Sequence, residues 1–226
     1  MPDIDIDFID RESDLFEIRE YDNKSWWWVK QDVGAWKYLT QKKHYTLPTI
    51  ISNFVEEKKL VVQAGGHSGL YPKQYAEMFE KVYTFEPYKL NFFCLDKNVK
   101  NENVKKYNTA IGEELKSVSI SHPDSKKHNT GVFSVSGLGD IPMITIDSLD
   151  IPDCSLIHYD LEGYELFALK GAVNTINKYK PIIALETNDS CENFGYSLYD
   201  LEKWIDETLN YKVLSRLRHD TVYGPR

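Results

Sequence analysis

The sequence is poor in cysteine: it has only Cys94, Cys154 and Cys191, an odd number with no CxxC pair. That excludes a disulfide framework and a zinc knuckle, and leaves three reduced, structural thiols. No apolar run approaches the roughly 18 residues of a membrane span. The first residues, Met1-Pro2-Asp3-Ile4-Asp5, lack the basic and apolar regions of a signal peptide, so a cytoplasmic location is expected. No stretch concentrates basic residues and the formal net charge is -8, so nucleic acid is not an expected partner. Internal repeats and low-complexity tracts are missing too. What remains is 226 residues, 42% of them apolar and 13% aromatic, enough to bury the core of one domain.

That domain is organised around Leu60-Val61-Val62-Gln63-Ala64-Gly65-Gly66-His67-Ser68-Gly69. An apolar run meets three glycines, and Leu70 to Glu80 then places apolar residues at helical spacing, which predicts strand, tight turn, helix. Glycines let a backbone approach a ligand, and the first amides of the next helix have no intrahelical partners. A second strand, Val82 to Pro87, carries Glu86 roughly 20 residues after the glycines, the spacing at which an acid grips a ribose diol. Glu86 is expected to face ligand rather than core. The glycine pattern departs from the dinucleotide fingerprint, because G-x-G-x-x-G ending on Gly69 needs glycine where Ala64 stands. A cofactor with one ribose and no pyrophosphate fits better.

In chain order, Asp3 to Asp10 alternates acid and apolar residues, which reads as a half-exposed strand or arm rather than a metal site. Trp26, Trp27, Trp28 and Trp36 read as packing for an N-terminal extension, with sugar stacking as the alternative. Thr46-Leu47-Pro48 starts a helix that leads to the central strand. A helix over Tyr88 to Lys100 and a strand over Val104 to Ile111 complete a βαβαβ pattern. Between Gly112 and Met143 the periodicity weakens, with turn chemistry at His122-Pro123-Asp124, His128 to Gly131 and Ser136 to Asp140. It reads as a hairpin-like insertion with strands at Ser117 to Ser121 and Met143 to Ile146, a candidate substrate cover.

Alternation resumes at Ser155 to Asp160, followed by a helix holding Leu166, Leu169, Val173 and Ile176 and by a strand from Ile182 to Glu186. A helix through Leu198 to Leu209 and an antiparallel pair, Tyr211 to Leu217 with Thr221 to Tyr223, close the domain. Gly65, Glu86, Asp160 and Glu186 all fall at carboxyl ends of strands, where open parallel sheets bind ligands. His158 reads as a core or supporting histidine, and His67 as a cofactor contact rather than a base.

The chain resembles the FkbM family of S-adenosylmethionine-dependent methyltransferases from about Leu60 to Glu186, and more loosely to the end. The family's D-V-G-A-N-x-G lies over Gln63 to Gly69, its second motif over Phe85-Glu86-Pro87, and its I-D-V-E-G-x-E with L-K-G-A over Tyr159 to Glu165 and Leu169 to Ala172. Gln63 stands where the family has an acid. Asp32-Val33-Gly34-Ala35 also spells the family word, but Trp36 follows, no apolar strand precedes it and no ribose acid is suitably spaced. It is read as coincidence.

The resemblance implies a Rossmann-like α/β class I methyltransferase fold: a mostly parallel seven-stranded sheet, helices on both faces and a hairpin-like insertion. Residues 1–58 would be an extension or lid, and 59–226 the cofactor domain, with the insertion at about 113–144. S-adenosylmethionine would meet Gln63, Ala64, Gly65, Gly66, His67, Ser68 and Gly69. Glu86 and Pro87 would lie at the ribose, Asn108, Thr109 and Ala110 at the adenine, and Asp160 close by. The expected reaction is O-methylation of a hydroxyl on a sugar, glycan or polyketide-like small molecule, with Asp160, Glu162 and Glu186 as candidate bases. Carboxylates also suit a divalent ion such as Mg²⁺, which spacing alone does not establish. Homo-oligomerisation stays open. The rivals are a nicotinamide oxidoreductase, which Ala64 disfavours, and a non-catalytic carbohydrate- or partner-binding module, which Gln63 keeps alive.

Overall fold

A computed structural model of the chain describes residues 13–40, 46–121 and 128–226. The acid-alternating run at 3–10 and the turn at 122–124 lie outside the described residues. In chain order the elements are strands β1 (Phe16–Tyr21) and β2 (Lys24–Val29), helices α1 (Gly34–Thr40) and α2 (Leu47–Ser52), strand β3 (Leu60–Ala64), helix α3 (Leu70–Met78), strand β4 (Lys81–Phe85), helix α4 (Lys89–Asn98) and strand β5 (Val104–Tyr107). Next come the short strands β6 (Ala110–Ile111), β7 (Lys116–Ser121), β8 (Ser134–Leu138) and β9 (Ile141–Ile144). The chain closes with β10 (Leu156–Tyr159), α5 (Glu165–Lys170), α6 (Val173–Tyr179), β11 (Ile182–Glu186), α7 (Leu198–Trp204), β12 (Tyr211–Arg216) and β13 (Asp220–Pro225).

Seven strands form the main sheet in the order β12-β13-β11-β10-β3-β4-β5, with β13 antiparallel to both of its neighbours and the rest parallel. The two-residue period of a strand sends alternate side chains to opposite faces. Val62, Ala64, Ile157, Tyr159, Ile183 and Leu185 therefore pack with Leu166 and Leu169 of α5, Ile176 of α6 and Leu201 of α7. Val61, Leu156, Ala184 and Val222 pack on the other face with Ile51 of α2 and Tyr75 of α3. All five residues of β3 are buried, as a central parallel strand requires.

Three expected elements are subdivided. The strand expected over Val104 to Ile111 breaks at Asn108-Thr109, where the chain leaves the main sheet and β6 joins a small sheet of order β6-β9-β7-β8. Hydrogen bonds hold the break: Asn108 Nδ2 donates to Glu86 O at 2.8 Å, and Thr109 Oγ1 donates to Pro142 O at 2.5 Å. The helix expected across Leu166 to Ile176 parts at Gly171, where a Cβ would sit 1.9 Å from the Gly112 carbonyl oxygen. The insertion is a three-stranded antiparallel sheet with β7 between β8 and β9, β8 having given no readable alternation, and Ile146–Leu149 is a 3-10 turn instead of the end of β9.

β1 and β2 form a hairpin around Asp22 and Asn23, both left-handed (φ 53° and 56°), as a tight two-residue turn requires. Trp26 and Trp28 are fully buried, and Phe16 and Trp27 pack on Phe93 of α4, so the tryptophans do pack the extension onto the core. Asn98 makes the tie: Trp27 N donates to its Oδ1, and its Nδ2 donates to Trp27 O and Ser68 O, each at 2.8 Å. Among the described residues, no helix is long and apolar enough to cross a membrane.

Losing those three bonds and leaving buried backbone groups unpaired should make Asn98→Ala cost about 3 kcal/mol. For a chain of this size that is a fall in Tm of about 6–10 °C. A fall below about 2 °C in a thermal melt would show that Asn98 does not carry the tie.

Candidate functional site

Successive crossovers leave β3 toward β4 and β10 toward β11, so strand order reverses between β3 and β10 and their carboxyl ends open into a crevice. A cavity of about 560 Å³ lies there, within the range of small-molecule sites. Its walls come from the strand ends, from Trp28 to Tyr38 of the extension and from Asn129 to Val135 of the insertion. Ala64, Gly65, Gly66, His67, Glu86, Pro87, Thr109, Ala110, Asp160, Glu162 and Glu186 are all brought to it.

Gln63, Ser68, Gly69 and Asn108 are not among its walls. Period two explains Gln63: it shares a face with Val61, so its side chain turns behind the loop. Its Nε2 donates to Ala64 O (3.1 Å) and Gly65 O (3.0 Å), and its Oε1 accepts from Thr84 Oγ1 at 2.6 Å. Ser68 is fully buried, and Asn108 braces the carbonyls of Glu86 and Pro87. Gly65 and Gly69 are left-handed (φ 83° and 92°), and a Cβ at Gly65 would lie 2.1 Å from Asp160 O. The amides of Gly65 and Gly66 donate to Phe85 O at 3.2 and 2.9 Å, holding a tight turn before α3.

Glu86 is buried, its Oε2 accepting from His67 N at 2.7 Å and its Oε1 from Tyr88 N at 2.8 Å. Its carboxylate thus fastens the glycine loop as well as facing the cavity. Burial raises its pKa, against the nearby His67 and the backbone amides that pull it down.

At the opposite wall Asp160, Glu162 and Glu186 bring oxygens within 4.8 Å of one another. The Asp160 and Glu186 carboxyls face each other across that short gap. Burial, then the charge of Asp220, pushes Asp160 up. Glu186 goes well above its ordinary value, through burial and then the charges of Asp160, Glu162, Glu165 and Asp220. Two carboxyls so placed hold one proton between them. Glu186 Oε2 is buried without a hydrogen-bond partner. The oxygens of the three carboxyls are close enough to meet on one divalent cation, which would hold all three groups deprotonated. His158 lies beneath the cluster, fully buried, with Nδ1 2.9 Å from Tyr75 OH, in the supporting position expected of it.

Glu165, the last acid of the same motif, turns inward. Its Oε1 accepts from Leu161 N (2.8 Å) and Gly163 N (3.4 Å), and Tyr196 OH donates to Gly163 O at 2.7 Å. Glu162 and Gly163 are both left-handed (φ 53° and 99°), and Glu165 is what holds that turn. Burial pushes its pKa up to about 7.

Asp32 is the residue that sequence reasoning missed. The word Asp32 to Ala35 forms no strand and no glycine loop, yet Asp32 is fully buried. Its Oδ1 accepts from Ala35 N at 3.0 Å, and its Oδ2 lies 3.0 Å from His67 Nε2 and 2.8 Å from Thr130 Oγ1. The readable signal was a helix-capping acid; nothing in the spacing placed it against His67.

The family model described as the methyltransferase FkbM domain matches residues 63–213. Among solved structures, a methyltransferase FkbM from Methylobacillus flagellatus KT is 22% identical, with a TM-score of 0.53 over 80% of this chain and 47% of that one. Trm5b from Pyrococcus abyssi is 14% identical (TM-score 0.52, 93% of this chain, 54% of that one). The Pyrococcus abyssi tRNA (uracil-54, C5)-methyltransferase, solved with S-adenosyl-L-homocysteine, is 13% identical (TM-score 0.50, 93% and 44%). At such identities the likeness is one of fold, that of the class I methyltransferases. The chain spans about half the length of these structures. Among curated proteins, none matches the chain in sequence.

A Glu165 pKa of about 7, against 4.5 ordinarily, has a stability consequence. The folded state holds the proton longer than the unfolded one, so this contribution is complete below pH 4.5 and is lost as pH rises to about 7, some 3 kcal/mol in all. Glu165→Gln keeps an acceptor for Leu161 N and never ionises. It should raise Tm by about 5 °C or more at pH 8 and leave it little changed at pH 4.5. Equal differences at both pH values, read by calorimetric melts, would place the ionisation elsewhere.

Proposed function

The chain belongs to the FkbM methyltransferase family, and we propose that it transfers a methyl group from S-adenosylmethionine to a hydroxyl of an uncharged small molecule or glycan, of sugar or polyketide-like chemistry. The observation that carries this reading is one cavity with two unlike walls: a glycine loop with Glu86 on one side, and a proton-sharing carboxyl pair with a spare buried oxygen on the other.

The residues present fit the cofactor. Gly65 and Gly66 put bare backbone on the cavity wall, where a Cβ would collide with Asp160 O or Leu95, and Glu86 stands where an acid can take ribose hydroxyls. Thr109 and Ala110 line the cavity and would flank the adenine. When bound, S-adenosylmethionine supplies a methyl group activated on a sulfonium. Gln63, the family's missing acid, points behind the loop and so takes no charge away from the cavity wall. The argument it offered for a non-catalytic module lapses.

This chain's own contribution is orientation and proton management. A hydroxyl seated between the walls would meet Asp160 and Glu186, and the deprotonated member of that pair would take its proton. Glu162 would hold a neighbouring hydroxyl of the acceptor. The extension and the insertion, as two parts of the wall, would act as cover and exclude water. Among the described residues lining the cavity there is no lysine or arginine, against six carboxylates: Glu86, Asp160, Glu162, Glu186, Asp189 and Asp220. A phosphorylated acceptor would meet that carboxylate excess with no lysine or arginine to offset it.

Calorimetric titration with S-adenosylmethionine, S-adenosylhomocysteine and NADH, with and without Mg²⁺, tests the cofactor. The adenosyl ligands should bind and NADH should not; the reverse result would sink the reading. Glu86→Gln, which sets an NH₂ group against one of two backbone amides, should weaken S-adenosylhomocysteine by about tenfold or more. Unchanged affinity would remove Glu86 from the site. Against a panel of neutral and phosphorylated sugars and polyols, labelled methyl should pass to neutral hydroxyls. Glu186→Gln should cut that transfer by about 100-fold or more with cofactor affinity held within about threefold. An undiminished rate would move the base elsewhere.

A further inference from the structure

His67 stands where the family's glycine-loop word has asparagine, and the structure gives this ring a partner outside the matched region. Burying a carboxylate is costly unless it is paired and hydrogen-bonded. Asp32 has both, and the surrounding turn is built to hold it: Trp28 Nε1 and Arg19 Nη1 donate to its carbonyl oxygen at 3.0 and 2.8 Å, and Ala35 N donates to Oδ1. Thr130 of the insertion lies against Oδ2, and Asn91 of α4 grips Thr130 in turn, its Nδ2 donating to Thr130 O at 3.0 Å. A fold prop for the extension would need no more than that. The remaining contact crosses into the glycine loop. With Asp32 Oδ2 at 3.0 Å, His67 Nε2 must carry a hydrogen, because an unprotonated nitrogen would set its lone pair against the carboxylate.

His67 is left-handed (φ 45°), a conformation a side-chain-bearing residue holds only when its surroundings impose it. Two anchors do so here: the backbone amide donates to Glu86 Oε2 at 2.7 Å, and the ring reaches Asp32. We propose that Asp32 is a positioning residue of the cofactor site, acting through the His67 ring to set the loop that presents the His67 amide to Glu86. The extension, outside the 63–213 match, is thereby a working part of the cleft. This rests on the cofactor reading above for its ligand, but not for the Asp32–His67 pair itself.

The groups facing His67 are Asp32 from the turn before α1, Glu86 after β4, Asp160 after β10, the Thr130 hydroxyl and the Trp28 ring. Burial works against the charged ring, but the Asp32 hydrogen bond and the three carboxylates together raise its pKa. Asp32 is lowered: burial opposes its charge, and the His67 bond and charge, Thr130 and the Ala35 amide outweigh it. The ion pair therefore exists between the two titrations. As pH rises through that of His67, Asp32 and Glu86 lose their shared cation, and the neutral ring keeps only an uncharged Nε2–H bond to Asp32, a weaker anchor for the loop.

The test takes the parent, Asp32→Asn, His67→Asn and the double variant. It reads S-adenosylhomocysteine affinity by calorimetry from pH 5.5 to 9, and the His67 ring titration by NMR without ligand. Asp32→Asn should lower the His67 midpoint by about one unit or more and raise Kd about tenfold at pH 7. In the His67→Asn background the same change should move Kd less than about twofold, because the route from Asp32 to Glu86 is already cut. His67→Asn alone should flatten the pH dependence of affinity. An equal cost of Asp32→Asn in both backgrounds, or an unmoved His67 midpoint, would reduce Asp32 to a fold prop. Should Asp32→Asn fail to fold, a parental pH profile retained in His67→Asn would overturn the proposal by itself. If the parent binds no S-adenosylhomocysteine, the cofactor reading fails, and the ring titration still decides the pair.

Discussion

The cleft exists because β3 and β10 run in register, Ala64 beside Tyr159, and then part. Asp160 N donates to Ala64 O at 3.1 Å as the last bond of the pair, and one residue further the chains turn to opposite sides of the sheet. Gly65 sits so close to the Asp160 carbonyl that no side chain fits between them. Everything that acts in the cleft hangs from this parting: the glycine loop on one side, the Asp160 to Glu165 turn on the other, and between them a space whose walls are fixed at the root.

Into that space the fold crowds carboxylates, and it solves the cost of burying each one differently. Glu86 and Glu165 are satisfied by backbone amides of the loops that they hold. Asp32 is satisfied by a ring and a hydroxyl from two other segments. Asp160 and Glu186 lie side by side, both raised by burial, and meet the cost at the expense of one ionisation. Only the last solution leaves an acceptor idle, and an idle acceptor in a buried place is where proton chemistry has room to occur. The divergence between neighbouring acids, rather than their number, distinguishes the reactive wall from the structural one.

Much of this was legible beforehand, for a physical reason. Parallel strands buried on both faces read as apolar runs, so β3, β10 and β11 stood out, and their ends, with that of β4, placed Gly65, Glu86, Asp160 and Glu186 together. The strand break at Asn108 and the helix break at Gly171 did not stand out, because each is imposed by tertiary contacts: a side-chain amide on the Glu86 carbonyl, and a carbonyl oxygen where a Cβ would go. Gln63 could be placed in the loop but not aimed, since its direction depends on which face of β3 it shares. Asp32 was discounted on correct grounds, as no strand precedes it. Its contact with His67 spans 35 residues and carries no periodicity by which to find it.

Asn98 has a consequence for how the molecule comes apart. One side-chain amide stands in for a neighbouring strand at Trp27 and also supplies the partner of the Ser68 carbonyl. The hairpin therefore cannot lift from the core without stripping a hydrogen bond from the loop that ends at Gly69. Proteins open in cooperative patches whose borders follow such shared bonds. Here the border does not fall at the start of the family domain: the tryptophan hairpin and the glycine loop belong to one opening unit, and deuterium would reach their amides together.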